Sequence, residues 1–179
     1  FYFKYFYVSL LLKNDNMITF PNAKINLGLN IVSKRSDGYH NIETIFYPIG
    51  MKDALELLPS KADKPYRLYS TGINLDEDSE NNLVIKALNL IRAEKNIPSI
   101  TIHLLKKIPA GAGLGGGSSD GAFMLKMLNR LFSLGYTDKQ LHQLAATLGA
   151  DCAFFIENKP AFAHGIGDKL EPINLSLEQ

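Results

Sequence analysis

The stretch Ile108-Pro109-Ala110-Gly111-Ala112-Gly113-Leu114-Gly115-Gly116-Gly117-Ser118-Ser119-Asp120 decides how the rest of the chain is read. Gly111, Gly113, Gly115, Gly116 and Gly117 fall almost side by side. That density raises the backbone entropy lost on folding and adds nothing to a core, so close approach of a ligand to the backbone is the reason to carry it. Residues 122–134 follow, with Met124, Leu125, Leu128, Leu131 and Phe132 on one helical face and Gly135 placed to end the helix. The glycines therefore stand at a helix N-terminus, where free N–H groups and the positive end of the dipole suit an anion. Ser118 or Ser119 is the expected N-cap, its hydroxyl available to a phosphate or to the metal ion of that phosphate. A nucleoside triphosphate is the natural ligand.

Three phosphate loops compete for this string. A Walker A loop fails, because Gly117 stands where that loop needs Lys. A dinucleotide-binding G-x-G-x-x-G is matched by Gly111, Gly113 and Gly116, but its context is wrong. The preceding segment, 100–108, alternates Ile100, Ile102 and Leu104 with Thr101 and His103, as a half-exposed antiparallel strand does. Asp138, at the distance where a second strand should end in an acid, opens a helix instead. A glycine-rich linker is excluded by the strand and capped helix on either side. The third loop is Pro-x-Gly-x-Gly-Leu-Gly-Ser/Gly-Ser-Ser of the GHMP kinases, and residues 109–119 resemble it almost position for position.

The 179 residues are 46% hydrophobic, enough for a real core, and the formal net charge is +1 with Lys and Arg scattered. That balance gives no electrostatic case for nucleic acid. Cys152 is alone, and His40, His103, His142 and His164 are too separated for a metal-ligand spacing, so a reducing cytoplasm is the expected setting. Residues 1–13 form an aromatic, apolar run too short to span a bilayer and without a small-residue cleavage site. The expectation is that 1–16 is a non-native or upstream extension, with Met17 the start of the domain.

From there strands come first. Residues 23–32 alternate Ile25, Leu27, Leu29 and Ile31 with Lys24, Asn26, Gly28 and Asn30, which predicts one apolar face and places Lys24 and Asn26 together on the other. After the turn Ser36-Asp37-Gly38 come Tyr39 and His40, then strands at 42–49, 54–58 and 66–70. An acidic loop, 76–82, ends in Asn N-cap candidates for a helix at 83–94 that buries Val84, Ala87, Leu88 and Ile91. Thr137-Asp138-Lys139-Gln140 is a capping box for a helix with Leu141, Leu144, Ala145 and Leu148 inward and Gly149 at its end. Strands early and helices late predict an α+β fold, helices packed on one face of a mostly antiparallel sheet.

The resemblance to the GHMP kinases extends beyond the loop. Ala23-Lys24-Ile25-Asn26-Leu27, Asp37-Gly38-Tyr39-His40 with Glu43-Thr44, Glu80-Asn81-Asn82-Leu83, Gly149-Ala150-Asp151 and Ala161-Phe162-Ala163 with Gly165 and Gly167 occur in the order and spacing of one branch of the family. The resemblance implies a small-molecule kinase with ATP and Mg2+ as cofactors and a cytidine diphosphate derivative of methylerythritol as acceptor, with no nucleic-acid or membrane partner. It implies that Asp151 takes the acceptor hydroxyl proton beside Lys24. It also implies that Asn26, Tyr39 and His40 hold the cytidine diphosphate part, Tyr39 stacking on the base and His40 bonding its edge. Pro109, Ala110, Gly111, Ala112, Gly113, Leu114, Gly115, Gly116, Gly117, Ser118 and Ser119 would cradle the phosphates. Cys152-Ala153 stands where the family often has Val-Pro, and Asp120-Gly121 replaces a common Asn/Asp-Ala.

The family's chains are longer, so 17–179 reads as the N-terminal, ATP-binding domain without the C-terminal domain that forms the other wall of the cleft. Two other readings stay open: a GHMP kinase for a different small acceptor, against which Asp37-Gly38-Tyr39-His40 stands, and a non-catalytic nucleotide-binding regulator, against which Lys24 and Asp151 together stand.

Overall fold

The computed structural model describes residues 17–61, 63–73 and 81–177. The expected upstream extension at 1–16 and most of the acidic loop, 76–80, lie outside the described residues. Strands and helices follow in the order β1 (Met17–Thr19), β2 (Asn22–Lys34), β3 (His40–Lys52), β4 (Ala54–Pro59), β5 (Tyr66–Gly72), α1 (Leu83–Glu94), β6 (Ile100–Lys106), α2 (Gly116–Leu131), α3 (Asp138–Leu148), α4 (Phe154–Glu157), β7 (Ala161–Gly165) and β8 (Lys169–Pro172). The mostly antiparallel α+β architecture is the expected one, with the strands divided between two four-stranded sheets, β1-β4-β6-β5 and β2-β3-β7-β8. Among the described residues the single parallel pairing is β5 on β6, so β6, expected as an antiparallel strand, is antiparallel only toward β4.

β6 behaves as its pattern predicts: Ile100, Ile102 and Leu104 are buried on the inner face and His103 looks outward. Against that face pack Val84, Ala87, Leu88 and Ile91 of α1 and Ala122, Met124, Leu125 and Leu128 of α2, forming one core with Leu55 and Leu57 of β4. Each fully buried Leu or Ile contributes roughly 1.5–3 kcal/mol relative to exposure. The helix ends are locally specified. Asn82 accepts the Val84 N–H at 2.9 Å to start α1, and Thr137 with Gln140 closes the capping box of α3.

Two further expectations fail. β2 does not keep its alternation. Lys24 is buried at 4% exposure, while Leu29 and Ile31 are 58% and 61% exposed. The register jumps between Leu27, opposite Ile45, and Leu29, opposite Thr44. Gly28, at φ +72°, takes the extra residue of this bulge, and the Thr44 hydroxyl donates to its carbonyl oxygen. Beyond the bulge the side chains change face, so Leu29 and Ile31 join the side of Lys24 and Asn26.

The second failure is the start of the glycine-loop helix. α2 begins at Gly116, and its N-cap is Gly115 at φ +67°, with no side-chain cap. Ser118 and Ser119 lie inside the first turns. Glycine can take the left-handed cap conformation that serine resists, so the helix starts within the glycines and brings its free N–H groups into the loop itself.

Candidate active site

The glycine loop is tied to β2 through the backbone: the Lys24 N–H donates to the Leu114 carbonyl oxygen at 2.9 Å. At Gly115 a Cβ would come within 3.1 Å of the Phe155 ring and 3.3 Å of Lys24 Cγ, so glycine there permits both the turn and the approach of the lysine. At Gly116 it would lie 2.7 Å from Ile108 Cγ2. A cavity is lined by Ile108, Pro109, Ala110, Gly111, Gly113 and Leu114 and continues along Gly115, Gly116, Gly117 and Ser118, with Leu83 and Lys106 completing its wall. Ala112 is exposed at the loop tip, and Ser119 is turned inward with its hydroxyl buried and unpartnered. Of the two serines, Ser118 alone faces the cavity.

Beside the loop, Lys24 Nζ stands 3.3 Å from Asp151 Oδ2 and donates to Asn26 Oδ1 at 2.5 Å. Its underside is closed by the Phe46 ring, 4.4 Å from the ammonium to the ring centroid. Asp151 keeps 31% of its side chain exposed, so the pair has one face toward solvent. Asp151 follows the Gly149 stop of α3 and precedes Cys152 and Ala153, which sink into the core and fix the direction of the chain there. Burial pushes the Cys152 thiol up to about 11, with the Asp151 charge adding to it and a hydrogen bond with Ser118 opposing it, which disfavours the thiolate.

Lys24, Asn26, Asp151 and the glycine loop are thus brought together. Tyr39 and His40 are not. They stand exposed at the far end of the β2–β3 hairpin, where His40 pairs with Lys34. Roughly 20 Å of strand separates His40 from Phe46, the partner of Asn26. The exposed side chains of Leu29 and Ile31 lie on the stretch between.

A third group escaped the sequence reading. Lys106 Nζ is held between Asp53 and Asp120, 2.6 Å from Asp120 Oδ2, all three almost fully buried. Asp53 Oδ1 also accepts the N–H groups of Lys107 at 2.5 Å and Ile108 at 2.9 Å, and Asp120 Oδ1 has no partner. The cluster joins the chain just before the loop to the helix just after it. Burial alone would pull Lys106 down, and the two carboxylates outweigh it and hold it above its usual value. Burial pushes the Asp120 carboxyl up to about 7 against the pull of Lys106, with Asp53 adding to the rise. One signal was available: Lys106 continues the inward series Ile100, Ile102, Leu104, and a lysine on a buried face requires a carboxylate partner.

Among the described residues no group of three or more His, Cys, Asp or Glu could hold a metal. Mg2+ that arrives on a nucleotide keeps several waters and needs only one or two protein oxygens, and the Ser118 hydroxyl lines the cavity. No helix among the described residues is long and apolar enough to cross a membrane.

Residues 82–159 match the GHMP kinases N terminal domain. The chain is 58% identical over 163 residues to 4-diphosphocytidyl-2-C-methyl-D-erythritol kinase of Bacteroides thetaiotaomicron, covering 90% of this chain and 60% of that one. It is 59% identical over 162 residues to the kinase of the same name from Parabacteroides distasonis, covering 90% and 59%. The chain therefore spans about 60% of the length of these relatives. Its fold matches the crystal structure of 4-(cytidine 5'-diphospho)-2C-methyl-D-erythritol kinase with a TM-score of 0.75 at 38% identity, covering 89% of this chain and 56% of that one. Homoserine kinase from Cytophaga hutchinsonii shares the fold alone, with a TM-score of 0.64 at 21% identity and coverage of 93% and 53%.

Proposed function

Given that the chain carries the N-terminal domain of a GHMP kinase, we propose that the full-length protein transfers the terminal phosphoryl group of ATP to the 2-hydroxyl of 4-diphosphocytidyl-2-C-methyl-D-erythritol. That is a cytoplasmic step of non-mevalonate isoprenoid precursor biosynthesis. The observation that carries the reading is the Lys24–Asp151 pair, 3.3 Å apart and open on one side, against a glycine loop bonded to the Lys24 backbone.

The geometry supports the following division of labour. The N–H groups at the start of α2 hold phosphate oxygens, Ser118 contributes its hydroxyl, and Mg2+ supplies charge neutralisation there. Asp151 takes the proton of the attacking hydroxyl, and Lys24 stabilises the alkoxide that forms. Asn26 orients Lys24 and faces the polar part of the acceptor. Tyr39 stacks on the cytosine and His40 bonds its edge, which leaves the length of the hairpin for an extended acceptor with its base at one end and its reacting hydroxyl at the other.

The test is steady-state kinetics of Asp151→Asn in the full-length protein. Asparagine keeps the size and removes the proton acceptor, so kcat is expected to fall by about 10² or more with both KM values nearly unchanged. Turnover within about threefold of wild type would reduce Asp151 to a helix-end residue, since a positioned base contributes far more than that.

A further inference from the structure

We propose that Arg35 and Asp37 are positioning residues for the acceptor's base, a clamp that fixes the backbone of Tyr39 before the acceptor arrives. The proposal rests on the acceptor reading given above and concerns residues that make none of the contacts assigned there.

The Arg35 guanidinium grips Asp37 in a fork, Nε to Oδ2 at 2.9 Å and Nη2 to Oδ2 at 2.8 Å, with Nε also 3.2 Å from Oδ1. Its remaining nitrogen, Nη1, donates to Asn41 Oδ1 at 3.3 Å, and Asn41 Nδ2 donates to Ser33 Oγ at 2.9 Å. The chain is thus laced across the hairpin from β2 to β3. Both backbone polar groups of Tyr39 are held by the same two residues. Its N–H donates to Asp37 Oδ1 at 3.1 Å, and its carbonyl oxygen accepts from the Arg35 N–H at 2.8 Å. Gly38, at φ +87°, makes the turn that closes this ring of bonds.

Stability does not account for such a device. Arg35 and Asp37 are 41% and 45% exposed, and ion pairs so open to water contribute little to folding. The residue they hold is a tyrosine 62% exposed, an aromatic ring presented to solvent on a fixed backbone. A ring held that way is a stacking platform, and fixing it in advance removes the ordering loss that binding would otherwise carry. The clamp therefore acts on acceptor affinity and leaves the phosphoryl step, at the other end of the hairpin, alone.

The experiment uses the full-length protein with the variants Arg35→Ala, Arg35→Lys, Asp37→Asn and Tyr39→Ala, measuring kcat, both KM values, competitive inhibition by cytidine diphosphate, and the melting temperature. Arg35→Ala is expected to raise the acceptor KM and the cytidine diphosphate inhibition constant by about tenfold, with kcat and the ATP KM within about twofold of wild type. Arg35→Lys, which keeps the charge without the fork, is expected to recover only part of that loss. Asp37→Asn can still accept the Tyr39 N–H and is expected to fall between. If Tyr39→Ala raises the acceptor KM and Arg35→Ala does not, the clamp is overturned and the acceptor reading stands. If Tyr39→Ala leaves both acceptor measures unchanged, the acceptor reading itself fails and takes the clamp with it. If Arg35→Ala lowers kcat, both affinities and the melting temperature together, its role is structural and the proposal is wrong.

Discussion

Lys24 and Lys106 are both nearly buried, at 4% and 2% exposure, both sit on strands, and both flank the same glycine loop. They differ in what closes around them. Lys106 is sealed between Asp53 and Asp120, whose side chains are 0% and 3% exposed, and one of those carboxylates reaches on to two backbone N–H groups. Lys24 has a single carboxylate partner, Asp151, which keeps nearly a third of its side chain in solvent, and an amide, Asn26, on its other side. A buried ammonium held between two buried carboxylates has its interactions already spent on architecture. One with an open partner can still meet a new negative charge. Burial of a lysine by itself therefore does not mark a reacting centre, and the exposure of its partner is the better guide.

The comparison breaks most sharply under removal of each ammonium. Lys106→Met leaves two carboxylates buried without a counter-charge, and the loss of one partner from a buried ionic cluster typically costs about 3–5 kcal/mol. The expected result is an unfolding free energy lowered by that amount, read as a fall in the urea midpoint of that energy divided by the m-value, or no folded protein at all. A midpoint within the error of wild type would mean that the cluster does not hold the loop.

Lys24→Met is expected to act on rate instead. Methionine replaces the ammonium that lies over the Phe46 ring with a neutral group of similar length. The expected effect is a kcat lower by roughly 10² or more, equivalent to about 2.7 kcal/mol in the barrier, with melting nearly unchanged. If the two lysine variants lose stability equally, the contrast drawn here is false.

A smaller effect sharpens the closed side. The carboxyl of Asp120 is raised in the folded state to about 7 from an ordinary value near 4, so the native state binds its proton more tightly than the unfolded chain does. Its stabilising contribution is complete below about pH 4 and is lost as pH rises toward 7, with a slope of at most about 1.4 kcal/mol per pH unit in that window. Urea unfolding without nucleotide at several pH values between 5 and 8 reads this directly. Asp120→Asn is expected to flatten the dependence, and an unchanged slope in that variant would assign the titration to another group.

The same contrast separates what was legible from what was not. β6 was readable because both its faces are decided by one neighbouring layer, and Ile100, Ile102 and Leu104 alternate with polar residues without interruption. β2 has the cleaner alternation of the two in the sequence and was misread, because Gly28 absorbs one extra residue and turns Leu29 and Ile31 onto the other face. A bulge is stabilised by the opposite strand, here by the Thr44 hydroxyl, and that strand is not part of the pattern being read. The serine expected to cap α2 was misplaced for a related reason: the left-handed Gly115 offered an earlier start than any side-chain cap could.

The sequence by itself determined the glycine loop at a helix start, the caps of α1 and α3, the α+β class, and the candidate set of Lys24, Asn26, Asp151, Tyr39 and His40. These rest on glycine spacing, cap chemistry and periodicity, all of which act over a few residues. Only the tertiary structure decided which of those candidates meet, that Tyr39 and His40 stand a hairpin's length from the Lys24–Asp151 pair, and that Asp53, Lys106 and Asp120 close on one another beneath the loop. Those relations join residues from tens of positions apart. What fixes them is the pairing of strands and the desolvation of charge, which depend on the whole packed layer rather than on neighbouring residues.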